Sequence, residues 1–119
     1  MQGGAGYSRD PCHVRAAFVR TMTDRHLVVI HSPGPSWEPG LPLMQQTGIQ
    51  EHRTHYAQLL EQGVLVMGGP FLDGAGGGMM ICKAGTDEDM LRMHALTDPA
   101  VETGLLQFEI RPWLPALKA

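Results

Sequence analysis

The 119-residue chain is short of cysteine, of clustered charge and of long apolar runs, and each shortage removes a class of protein. Two cysteines, Cys12 and Cys82, cannot build a disulfide framework. Cys82 lies in an apolar run and reads as a core-filling thiol, so a reducing cytoplasm is the expected compartment. The 9 basic and 12 acidic residues give a formal charge of -3 with no dense block of either sign, so the electrostatic footprint of a nucleic-acid binder is missing. No apolar stretch approaches the roughly 20 residues of a membrane-spanning helix. The glycines from Gly74 to Gly78 lack the Lys-Ser/Thr ending of a phosphate-binding loop and do not run into a helix, which leaves them as turn residues.

An apolar fraction of 43% and a charged fraction of 18% suit one globular domain with a real core. Residues 1–25 read differently, with Gly3, Gly4 and Gly6 followed by arginines and small residues in no period. They are expected to be a disordered or dispensable extension, with Met22 as the favoured true start, and the domain is expected over 26–119.

The β-branched run HLVVIHS, His26 to Ser32, reads as a first strand stopped by Pro33, Gly34 and Pro35. The segment from Pro33 to Gln46 is too rich in proline for regular structure and long for a connection, as lids, binding loops and interfaces are. Thr47 and Gln50 have capping-box spacing and predict a helix to Gln62, with Gly63 as its stop. Strands are predicted over Val64–Pro70 and Met79–Ala84, joined by the glycine-rich hairpin. Thr86 and Asp89 predict a second helix that stops near Asp98-Pro99, and Leu105–Trp113 is the last strand. The order strand, helix, strand, strand, helix, strand predicts an α+β, ferredoxin-like two-layer sandwich.

Such a sandwich covers one sheet face, so its strands should alternate apolar and polar residues. Leu27 to Ile30, Val64 to Met67 and Met79 to Cys82 are apolar on both faces. The uncovered face therefore predicts a homodimer with sheets facing each other.

On the first helix, at about 100° per residue, Ile49, Tyr56, Leu59 and Leu60 form the apolar stripe, and His52 falls within it. His55 lies about 60° around, on the flank. The i, i+3 spacing and the order Glu51-His52-Arg53-Thr54-His55 do not match a zinc-binding HEXXH helix. A metal reading would need a carboxylate such as Asp73 to join His52, and none is expected. Asp73 ends the second strand as either a turn residue or a partner that orients His52 for proton transfer. His31 and Ser32 end the first strand beside the long loop and either line a pocket or meet water, Trp37 is either a hydrophobic lid or a pin for the loop or a dimer contact, and Arg111 is either an anion-holding group or half of a salt bridge. Asp98 reads as a helix terminator, and His94 carries no specific reading.

The ordered motifs EH at 51–52, Gly63, VLVMGGPFLD at 64–73, DPAVETGLL at 98–106 and EIRPW at 109–113 resemble the YCII-related family. PGPSWEPGLPL at 33–43 resembles the long loop of one of its branches. The resemblance spans roughly His26 to Leu117. It implies a dimeric α+β barrel and a pocket built on a histidine and an aspartate, at positions matching His52 and Asp73. It also implies a cofactor-independent lyase or isomerase, since relatives include a dehydrochlorinase of hydroxyquinol-like aromatics, and related barrels include lactone isomerases and cofactor-free oxygenases. Ser32, Trp37 and Arg111 are the expected substrate contacts. The competing expectation is a non-enzymatic, small-molecule-binding dimer that uses the same pocket.

Overall fold

A computed structural model describes residues 24–119. The N-terminal extension and the start at Met22 lie outside the described residues, Asp24 and Arg25 of that segment excepted. The chain runs β1 (His26–Pro33), a 3-10 turn (Leu43–Gln45), α1 (Ile49–Glu61), β2 (Leu65–Pro70), β3 (Gly78–Cys82), α2 (Glu88–Leu96), a short α3 (Pro99–Glu102) and β4 (Leu106–Trp113). The sheet order is β2-β3-β1-β4 and every pairing is antiparallel. This is the predicted ferredoxin-like arrangement. Among the described residues no helix is long and apolar enough to cross a membrane.

The helix starts differ from those predicted, for local reasons. The Thr47–Gln50 capping box does not form; α1 is entered through Gly48 at φ 96°, with no side-chain cap. Its end follows expectation, because Gly63 at φ 75° lets its N–H reach the Leu60 carbonyl and the Val64 N–H reach that of Leu59. At α2, the Thr86 hydroxyl turns back to the Lys83 carbonyl, and Asp87 instead accepts the Asp89 N–H. The second helix therefore opens at Glu88.

Strand alternation sends Leu27 and Val29 of β1 toward the helices, where they pack with Tyr56, Leu59, Leu91, Leu65 and Cys82. Each large side chain buried here contributes about 1.5–3 kcal/mol. Cys82 is a free thiol that burial pushes up to about 11, which keeps it protonated and unreactive.

The opposite sheet face carries Val28, Ile30, Met67, Met79 and Ile81 alongside Gln107, Glu109 and Arg111, as the strand register requires. A bulge at Val66 preserves this division along β2.

The proline-rich loop is fixed by a residue the sequence did not single out. Gln46, buried, accepts the Glu38 N–H and donates to the carbonyls of Glu38 and Leu41. Farther back, Gly34 and Ser36 donate to the carbonyls of Leu105 and Gly104. The loop is thereby tied to the start of β4, and its 3-10 turn is set beside α1.

Candidate functional site

Between α1 and the β2–β3 side of the sheet lies a cavity of about 400 Å³. Its walls are largely apolar, with Leu43 and Met44 from the loop, Leu60 from α1 and Met80 from β3. Glycines open one wall: a Cβ at Gly68 would lie 2.3 Å from the Met80 sulfur. Three polar side chains line the cavity from the core side, namely His31 of β1 and His52 and Tyr56 of α1.

His52 is buried, as the helical period predicts, but its partner is Asp98 and not Asp73. The two lie 2.6 Å apart, Nδ1 to Oδ2. A carboxylate at that distance accepts, so Nδ1 carries the proton and the neutral ring keeps its lone pair on Nε2.

Asp98 is fully buried and serves two elements at once. It is the N-cap of α3, with Pro99 in the first turn, and its Oδ1 accepts the Ala100 N–H at 2.9 Å while Oδ2 faces the imidazole. Burial would raise the Asp98 carboxyl. The His52 hydrogen bond and charge, the Ala100 N–H and His31 outweigh it and hold the group below its ordinary value. It is a lasting anion that fixes the orientation of His52.

Asp73 instead stays in the β2–β3 turn, exposed, where its Oδ1 accepts the Ala75 N–H. The glycines that follow it favour this local Asx turn, and it makes no hydrogen bond or ion pair with His52.

The expected substrate contacts are not brought to the cavity either. Ser32 follows His31 and so alternates to the other sheet face. Arg111, exposed and paired with Val28, lies on that face too. Trp37 packs on a second apolar cluster formed by Ile49, Ala100, Leu105 and Leu106.

Of the two polar residues at the end of the first strand, His31 is the one that lines the cavity. It is 2% exposed, and neither ring nitrogen finds a hydrogen-bond partner among the described residues; the same holds for the Tyr56 hydroxyl. Nε2 is 3.9 Å from Asp98 Oδ2, beyond hydrogen-bond reach. The His31 ring stands edge-on to His52 at 4.8 Å and to Tyr56 at 5.3 Å, centroid to centroid. Burial, then the charge of His52, push His31 down to about 4 against a smaller opposing pull from Asp98, so it is neutral near pH 7. Burial and the Asp98 charge raise Tyr56 well above its ordinary value, so its hydroxyl keeps its proton. Each such unpaired buried group costs about 1–3 kcal/mol. Period two from Leu27 and Val29 was the available signal for His31.

His31, His52 and Asp98 also have the composition of a two-histidine, one-carboxylate metal site, with ligand-type atoms within 4.8 Å of one another. The 2.6 Å contact is shorter than the roughly 3 Å that separates two donors on one ion. As placed, His52 Nδ1 and Asp98 Oδ2 share a proton.

His55 and His94 form a separate pair away from the cavity. Their rings stack at 3.8 Å, and each Nε2–H donates to the other's backbone carbonyl, at 2.7 and 2.9 Å. They join α1 to α2.

No family model matches the chain, and no curated protein matches it significantly. Among solved structures it is similar to 5-chloro-2-hydroxyhydroquinone dehydrochlorinase from Burkholderia phenoliruptrix AC1100, in complex with 2,5-dihydroxybenzoquinone. The identity is 23%, the match covers 73% of this chain and 92% of that one, and the TM-score is 0.49. A likeness at this level assigns neither reaction nor substrate to this chain.

Proposed function

We propose that the cavity is the active site of a cofactor-independent lyase or isomerase, in which His52 moves a proton on a small, activated ring. The observation that carries this reading is the buried 2.6 Å hydrogen bond from His52 Nδ1 to Asp98. It fixes the tautomer that leaves the Nε2 lone pair free on a ring lining the cavity, and it sets an anion behind the imidazole to stabilise the imidazolium once the proton has moved. In isomerisation His52 returns the proton at another atom of the ring. In elimination the electron pair left by the proton expels the leaving group. Both outcomes use the same base, and the sequence resemblance to YCII-related proteins supports this pair of reaction classes.

The test is proton exchange into an activated ring. Resorcinol is incubated in D2O with the parent protein and with His52→Gln, and ring deuteration is followed by NMR. The proposal expects exchange above the solvent rate that falls by about 10²–10⁴-fold in the variant. Equal exchange by both proteins would remove His52 as the base. Binding of ring compounds without any exchange would favour the second reading, a non-enzymatic small-molecule-binding domain, which the largely apolar cavity also suits.

We also propose that a second copy of the chain covers the outer sheet face. Met67 at 60% exposure and Met79 at 37%, beside Ile30 and Ile81, support this. Sedimentation at micromolar concentration should give a dimer, and a clean monomer would count against it.

A further inference from the structure

The dyad accounts for His52 and Asp98 but leaves His31 and Tyr56 unexplained. A core position on β1 flanked by Val29 is ordinarily filled by an aliphatic or aromatic hydrocarbon, which leaves no polar atom to satisfy. Here two imidazole nitrogens and one hydroxyl, all buried and all without a partner among the described residues, gather beside one cavity. As placed none of these atoms reaches the cavity surface, so a ligand there would satisfy one His31 nitrogen and the Tyr56 hydroxyl by drawing those side chains toward it.

The chemistry of these groups narrows the ligand. A neutral imidazole offers one N–H and one lone pair, and a phenol hydroxyl both donates and accepts. That set matches a hydroxyl or a keto oxygen. A carboxylate is disfavoured, because it would stand close to Asp98, which is an anion already, and His31 brings no positive charge. Arg53 also lines the cavity, but its side chain is exposed and its charge is screened by water.

We infer that His31, together with Tyr56, determines specificity: the two groups take a hydroxyl or keto oxygen of an uncharged ring and discriminate against the carboxylated analogue. This rests on the reading of the cavity as a ligand site and is independent of whether His52 moves a proton. His31 acts by turning one ring nitrogen to the ligand oxygen, and Tyr56 adds a second contact from α1 by the same kind of small rotation.

The test compares three rings of similar size, phenol, toluene and benzoate, by NMR titration near neutral pH. The proteins are the parent, His31→Phe, His31→Gln and Tyr56→Phe. The parent should prefer phenol over both other probes by about tenfold or more. His31→Phe should lose about tenfold in phenol affinity while toluene affinity is kept or improved, and His31→Gln, which retains a donor and an acceptor, should recover part of the loss. A purely structural histidine would lower both affinities together. If His31→Phe does not fold, the same phenol-to-toluene ratio is read from His31→Gln and Tyr56→Phe, where it should fall.

Equal affinity of the parent for phenol and toluene, tighter binding of benzoate, or no binding of any probe at millimolar concentration overturns the inference. Selective phenol binding by a protein that shows no ring deuteration would support it while refuting proton transfer by His52.

Discussion

His55 and His94 lie face to face between α1 and α2, 3.8 Å apart, each holding the other's backbone carbonyl through its own Nε2–H. The bonds require both Nε2 atoms to be protonated, and the stacking disfavours a second charge on the paired rings. Burial, and then the charge of His55, keep His94 below its ordinary value, against opposing pulls from the His55 carbonyl and Asp98. A histidine depressed in this way stabilises the fold fully above its unfolded pKa and loses that contribution as pH falls toward the folded value. Chemical denaturation should therefore show a loss of stability on acidification below about pH 6.5 that is smaller in His94→Gln. A variant with the same pH slope as the parent would remove the pair as its source.

Asp98 supports the imidazole and the start of α3 with separate oxygens, so two substitutions should divide its roles. Asp98→Asn keeps a carbonyl for the Ala100 N–H but removes the negative charge, and its amide presents donors to His52 Nδ1. Ring deuteration should fall by about 10²–10⁴-fold with most of the stability retained. Asp98→Ala removes both contacts and should destabilise by about 3 kcal/mol or more, read by urea denaturation. Equal stability of the two variants would show that the cap adds nothing.

His31 makes a second demand on pH. It is held at about 4 in the folded protein, against 6.5 ordinarily, and so takes up a proton on unfolding anywhere between those values. Stability is complete above about pH 6.5 and lost as pH falls toward 4, amounting to about 2 kcal/mol between about pH 7 and about pH 5. His31→Gln cannot titrate and should lack this component. The comparison is one of slopes, so it stands even if the variant is less stable at every pH.

Gly77 should tolerate no side chain. It sits at φ 80°, and a Cβ there would lie 2.1 Å from the His31 carbonyl oxygen, a backbone atom that cannot swing away. Gly77→Ala should cost about 2 kcal/mol or more by combining left-handed strain with displacement of β3 from β1. Gly74→Ala has a similar φ of 85° but meets nothing within 4 Å, and should cost about 1–2 kcal/mol. The difference in denaturation midpoint measures the close approach separately from the strain.

The sheet and its covering helices could be read from periodicity. Apolar residues at alternate positions of β1 and at helical spacing around Tyr56 and Leu59 are local signals, and they placed His52 in the interior. The same alternation, continued two residues past Val29, places His31 inward as well. Its place at the strand end left a pocket and water as the two readings, and alternation decides between them.

Asp98 was harder to find, because Asp-Pro caps a helix identically whatever its second oxygen faces. Nothing local says that a residue 46 positions away will meet it. The link between His55 and His94 spans 39 positions and repeats at no period, so only the packed helices reveal it. Asp73, by contrast, was drawn into the site by motif position, while its own neighbours, glycine and alanine, already favoured a turn.

Because one carboxylate both opens α3 and anchors His52, the site cannot be assembled before the last quarter of the chain has docked. In a protein whose α3 and β4 have come loose, the imidazole would be free to rotate and to change tautomer even with the hairpin and first helix in place. The orientation of His52 is thus a local reporter of C-terminal docking, and partial unfolding at that end would silence the site before the rest of the domain melts.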